Sequence, residues 1–138
     1  MNDDWESRFK SDFAMDEHIF DLIIDKIKPG STIPKIQSKE IWKVKTCEGE
    51  RRGEEALIYE IPNHSNPNKP HQKGINASEW HKAYKRIIEK GEFTLEWFRE
   101  KMNKCSEEGD CNYYTIGSIL QQLGIAEYAS KGLFKKKN

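Results

Sequence analysis

The chain has no excess charge of either sign: 23 Lys and Arg residues balance 23 Asp and Glu residues over 138 positions. A protein that holds nucleic acid by bulk electrostatics carries a positive surplus, so any cationic surface here has to be local. Long apolar runs are missing too, and no segment approaches the roughly 20 apolar residues of a membrane span. Residues 1–10 are polar and acidic with no apolar run behind them, unlike a secretory leader. Cysteine is scarce, and an odd number of three suits a reducing compartment better than a disulfide scaffold. These absences point to a cytoplasmic protein with no membrane partner. Absent as well are a glycine-rich phosphate loop, a G-x-S-x-G elbow and a paired C-x-x-C.

What is present is 33% charged and 11% aromatic residues. Disordered chains are poor in aromatics, so this composition describes a folded, very soluble protein. The charge is unevenly placed. Residues 1–30 hold eight acids and four bases, residues 31–75 six acids and eight bases, and residues 76–138 nine acids and eleven bases. The two later blocks are therefore each slightly cationic.

Hydrophobic spacing predicts a first helix from Asp12 to Lys28, with Phe13, Phe20, Ile23, Ile24 and Ile27 on one face and Pro29-Gly30 as its stop. Met15, Ile19 and Leu22 widen that arc, which suits either a well-buried helix or one shared with a second copy. Residues 31–38 read as extended linker. Lys39–Cys47 and Glu55–Pro62 alternate as strands of an antiparallel hairpin, joined by the charged turn 48–53. The second is apolar on both faces, so it should be the inner strand. The Pro- and Asn-rich run 63–75 reads as a loop and as the break between two parts.

After it, Asn76-Ala77-Ser78-Glu79 has the form of a capping box. Trp80, Ala83, Tyr84, Ile87 and Ile88 then line one helix face, with Lys82, Lys85, Arg86 and Glu89 on the other. Gly91 closes that helix and Thr94 caps the next, where Leu95, Phe98 and Met102 point inward with Trp97 on the flank. A loop over 103–110 precedes a third helix, Asn112 to Leu123, with Ile116, Ile119, Leu120 and Leu123 buried. On this reading Tyr114, Thr115, Ser118, Gln121 and Gln122 face outward, and Gly117 permits close approach of a neighbour. Gly124 turns the chain into a hairpin of Ile125–Tyr128 and Leu133–Lys135.

Several constellations have residue types suited to chemistry. Cys47, Cys105, Cys111 and His71 match no zinc-ligand spacing, and Cys105 with Cys111 could close a loop as a disulfide or sit as thiols. Glu40, Lys43, Lys45 and Glu60 resemble nuclease carboxylates only in residue type. Charged hairpins are more often solvated edges, so no catalytic residue, metal or cofactor is assigned.

The order helix, helix, helix, hairpin over residues 76–135 resembles a winged helix-turn-helix domain. That resemblance implies an α+β fold: an N-terminal helix and β-hairpin (1–62), a loop (63–75) and a winged-helix unit (76–138), either as separate parts or as one compact domain. It also implies that Tyr114, Thr115, Ser118, Gln121 and Gln122 face DNA bases while Lys131, Lys135, Lys136 and Lys137 face the backbone. Gln can pair with adenine, and Lys supplies salt-dependent affinity. The third helix carries no Arg or Lys, and the acidic run 107–110 before it should repel phosphate. The implied function is non-enzymatic binding of duplex DNA by a small regulator or mobile-element accessory protein, as a homodimer through the first helix. The alternative is a protein-docking module using the same surface. Gly91–Phe98, Cys111–Tyr113 and Ile116–Tyr128 further resemble small uncharacterised proteins of bacterial integron gene cassettes.

Overall fold

A computed structural model describes residues 18–34 and 40–138. It is an α+β structure with two antiparallel sheets. Residues 18–26 form α1, followed by β1 (Thr32–Ile33), β2 (Trp42–Arg51), β3 (Glu54–Ile61) and β4 (His71–Asn76). These strands make one sheet in the order β1-β2-β3-β4. Then come α2 (Ala77–Lys90), β5 (Glu92–Thr94), α3 (Leu95–Lys101), α4 (Asn103–Glu108), α5 (Cys111–Gln122), β6 (Ala126–Ser130) and β7 (Leu133–Lys136). The last three strands make a second sheet in the order β5-β7-β6.

β3 is the inner strand its two-sided apolarity required: Ala56, Leu57, Ile58 and Tyr59 are all buried. The predicted turn over 48–53 is shorter than expected. The strands run on to a two-residue turn at Arg52 (φ 52°) and Gly53 (φ 83°), a left-handed pair suited to a tight hairpin. The run 63–75 is not all loop. β4 forms within it because β3 offers a free edge, and pairing from Ala56↔Asn76 to Ile61↔His71 templates a stretch that has no apolar alternation. Likewise β1 lies in the expected linker, and α4 occupies most of the expected loop 103–110.

On α1, Ile19, Phe20 and Ile23 are buried in the core, as is Ile27 just past its end, while Ile24 is 37% exposed. Asp12 to Glu17 of the predicted helix, with Phe13 and Met15, lie outside the described residues. α2 starts with the reciprocal cap its sequence predicts: Asn76 Oδ1 accepts from the Glu79 N–H at 2.9 Å and Glu79 Oε1 from the Asn76 N–H at 2.9 Å. It ends at Gly91 (φ 77°), whose N–H bonds the Ile87 carbonyl at 2.8 Å. Gly117 on α5 has the predicted role, because a Cβ there would sit 2.1 Å from the Phe134 ring.

One core joins the two sheets. Leu57, Tyr59 and Ile75 pack in the same cluster as Trp80, Ile87, Phe93, Phe98, Tyr113, Ile116 and Phe134. A polar clamp reinforces that junction. Arg52 reaches both oxygens of Glu79 at 2.7 and 2.8 Å and Glu108 Oε1 at 3.1 Å. Glu108 also receives Arg51 at 2.9 Å, the Gly74 N–H at 3.2 Å and Asn112 at 3.2 Å. The hairpin tip of the first sheet is thereby tied to α2, α4 and α5.

Candidate nucleic-acid interface

An isolated three-helix unit would leave one side of α5 open to solvent. Here the first sheet lies along it. β1 and β4 pack on α5. The Tyr59 hydroxyl donates to Asn112 Oδ1 at 2.7 Å near its start, and Gln122 Nε2 donates to the Thr32 carbonyl at 3.4 Å near its end. Asn112, Thr115, Ile119 and Gln122 recur at helical spacing and so share this covered side. A second side, at Gly117 and Gln121, meets the β6–β7 hairpin: Phe134 lies against Gly117, and Gln121 Oε1 accepts from the Tyr128 N–H at 2.6 Å.

The outward-facing set expected from the sequence is therefore divided. Thr115 is 0% and Ser118 4% exposed, so neither reaches a base edge. Both are corrections. The third helix of a chain with a preceding sheet is buried on two sides, and small polar residues at 115 and 118 fit that packing as well as they fit a groove. Tyr114 is half-buried, edge-on to the Tyr113 ring at 5.0 Å. Gln121 and Gln122 are exposed but each holds a backbone partner. Leu123, expected inside, is half-buried.

The four hairpin lysines are all exposed. They do not form one cluster. Lys131 sits in the turn, whereas Lys135, Lys136 and Lys137 lie toward the other end, about 13 Å of strand away at ~3.3 Å per residue. In register, Lys135 pairs with Glu92 on one side and Glu127 on the other, so its charge is flanked by two acids on the same face.

Two acids of the run 107–110 keep their charge but are paired with guanidinium groups of the protein. Burial of Glu108 opposes its ionisation, but hydrogen bonds from Asn112, Gly74, Arg51 and Arg52 outweigh that and hold its carboxyl below the ordinary range. Asp110 is likewise held low by Arg99, whose Nη2 and Nε donate to Asp110 Oδ2 at 2.5 and 3.1 Å. Arg99 is thus engaged on the protein and Glu107 is the exposed acid of the run.

A second cationic surface lies on the outer face of α2. Lys82, Lys85 and Lys90 are exposed there, and Arg86 is half-buried with its guanidinium 5.1 Å over the Trp97 ring. The alternation of α2 showed these residues facing away from the core. Their meeting with Trp97 was not legible, because it depends on how α3 crosses α2.

The cysteines are thiols: Cys47, Cys105 and Cys111 are all free. Burial pushes the Cys47 and Cys105 thiols up, away from the thiolate a nucleophile needs. Among the described residues no group of three or more His, Cys, Asp and Glu side chains is placed to hold a metal ion. Glu40 accepts from Trp42 Nε1 at 3.1 Å and lies 2.8 Å from His64 Nε2, while Glu60 pairs across the sheet with Lys43. Glu40 and Glu60 are thus held on the first sheet and its flank by separate partners. No helix among the described residues is long and apolar enough to cross a membrane. No family model matches the chain, and no curated protein or solved structure matches it either.

Proposed function

We propose that the chain is a non-enzymatic, winged-helix-type module that holds duplex DNA by its phosphate backbone and does not read bases with the covered side of α5. The observation that carries this is the run α2-β5-α3-α4-α5-β6-β7, with its sheet order β5-β7-β6, ending in a hairpin whose Lys131, Lys135, Lys136 and Lys137 are all exposed. Lysine contacts to phosphate give affinity without sequence preference. A role as a small regulator or mobile-element accessory protein would then come from where it is held on DNA.

Fluorescence anisotropy with a random-sequence duplex tests it. Binding is expected near 50 mM salt, falling steeply toward about 200 mM, and largely lost when the four lysines become Glu. No binding at low salt removes the proposal. The assembly proposed with it is a homodimer through α1, on the side of the exposed Ile24; a monomer in sedimentation at working concentration removes that part.

The second reading, a protein-docking module, is favoured by one observation: the α5 side chains that reach solvent, Tyr114, Gln121 and Gln122, are uncharged. Loss of duplex binding on Gln121→Ala with the lysines intact would count against this reading.

A further inference from the structure

The hairpin reading makes no use of a groove on the outer face of α2. It has a volume of about 450 Å³, and its lining includes His81, Lys82, Lys85, Arg86, Lys90 and Trp97. The cations follow from the helix itself. Trp80, Ala83, Tyr84 and Ile87 face inward, which leaves these positions on the other side. Lys82 and Lys90 are eight residues apart, so the row is about 12 Å long at 1.5 Å per residue.

Two further lysines lie next to this row. The Gly91 carbonyl accepts from the Lys136 N–H at 2.9 Å, which sets Lys136 beside the helix C-terminus. At the other end Lys82 Nζ donates to the Lys101 carbonyl at 2.5 Å, bringing Lys101 alongside. Acids answer this charge only in part: Glu89 lies 3.9 Å from Lys85 and Glu100 lies 3.8 Å from Lys101.

Two further features belong to the groove. Arg86 Nε and His81 Nδ1 are buried atoms of this groove without a hydrogen-bond partner. Buried donors and acceptors are ordinarily satisfied, so these two are exceptions. The Trp97 ring, meanwhile, holds the Arg86 guanidinium by a cation–π contact. A guanidinium fixed this way loses less entropy on binding an anion than a free one, and its planar fork matches phosphate oxygens.

We infer that the outer face of α2, continued by Lys136, is a second backbone-binding surface that takes successive phosphates of one DNA strand, with Arg86 as the fixed contact. This rests on the DNA-binding reading above and extends it. Four cations along about 12 Å of one helix face outnumber the single acid among them, and such a row complements a phosphodiester chain, which carries an anion at every backbone unit.

The test uses the full chain and a random-sequence duplex, with anisotropy read across a salt series. Lys82→Gln, Lys85→Gln and Lys90→Gln are combined in one variant, and Lys131→Gln with Lys135→Gln in a second. A third, Lys43→Gln with Lys45→Gln, changes exposed lysines of β2 as a control. Circular dichroism melts establish that each is folded. The α2 variant should weaken binding by about tenfold or more, and lower the salt slope by roughly 0.9 for each phosphate contact removed. Arg86→Lys, which keeps the charge and loses the stacked fork, should weaken binding severalfold.

An unchanged α2 variant alongside a weakened hairpin variant overturns this inference and leaves the DNA-binding reading standing. Equal losses in the β2 control overturn it as non-specific charge. Competition by polyglutamate as strong as by duplex overturns it in favour of an acidic peptide. No binding by the unaltered chain removes both proposals together.

Discussion

The Thr115 hydroxyl is buried and makes no hydrogen bond of good geometry, because the Tyr59 hydroxyl beside it already donates to Asn112. Such a group loses its hydration on folding and gains nothing in exchange. Thr115→Val should therefore raise stability by about 1 kcal/mol in urea unfolding and leave duplex affinity unchanged. A drop in affinity would mean that Thr115 reaches DNA after all. Gly117 is the opposite case. Alanine there improves helix propensity by about 1 kcal/mol, but its methyl would enter the ring of Phe134, which is 0% exposed and touches the Tyr113 and Tyr128 rings. Overpacking of this kind costs about 1–3 kcal/mol, so Gly117→Ala should lower the melting temperature.

At the scale of elements, the β2–β3 turn is held by what it reaches. Arg51 and Arg52 converge on Glu108, which Asn112 and the Gly74 N–H also bond. Glu108→Ala leaves two guanidinium groups and an amide short of a partner in a half-buried site, and should cost about 2–4 kcal/mol by chemical denaturation. The carboxyl has a second consequence. Its folded value lies below the ordinary 4.5, so it contributes stability that is present above the unfolded value. That contribution is lost as pH falls from about 4.5 through the lower folded value. Glu108→Gln should make the acid side of the stability–pH curve shallower, with little change in its shape above neutral pH. A curve that keeps its acid slope in this variant would place the titrating group elsewhere.

For the whole molecule, the two sheets share one apolar cluster and one polar clamp. Cooperative units are set by such shared burial. Melts followed by far-UV circular dichroism and by tryptophan fluorescence should coincide in one transition, and Leu57→Ala in β3 should shift both together by the about 2–5 kcal/mol of a core truncation. Two separated transitions would show that the halves fold alone and that the cover over α5 can open.

Much of this was legible along the chain, for local reasons. The Asn76–Glu79 cap, the Gly91 stop, the α2 stripe and the doubly apolar β3 each rest on residues a few positions apart. β4 was not legible, since His71–Asn76 carries no alternation and exists only because β3 has an edge to pair with. Nor was α4, a six-residue helix with one buried side chain, Cys105. The candidate interface divided the same way: the exposed lysines of the hairpin and of α2 could be read from spacing, but their neighbours could not.

The sequence by itself determined where α2 starts and stops, where α3 starts and which face of α2 is apolar, because capping and periodicity are short-range. Only the tertiary structure decided that the first sheet covers one side of α5, that Thr115 and Ser118 are inside, and that Arg86 rests on Trp97. Each of those depends on contacts between segments far apart in the chain, where a small polar residue looks the same whether it faces water or a neighbouring strand.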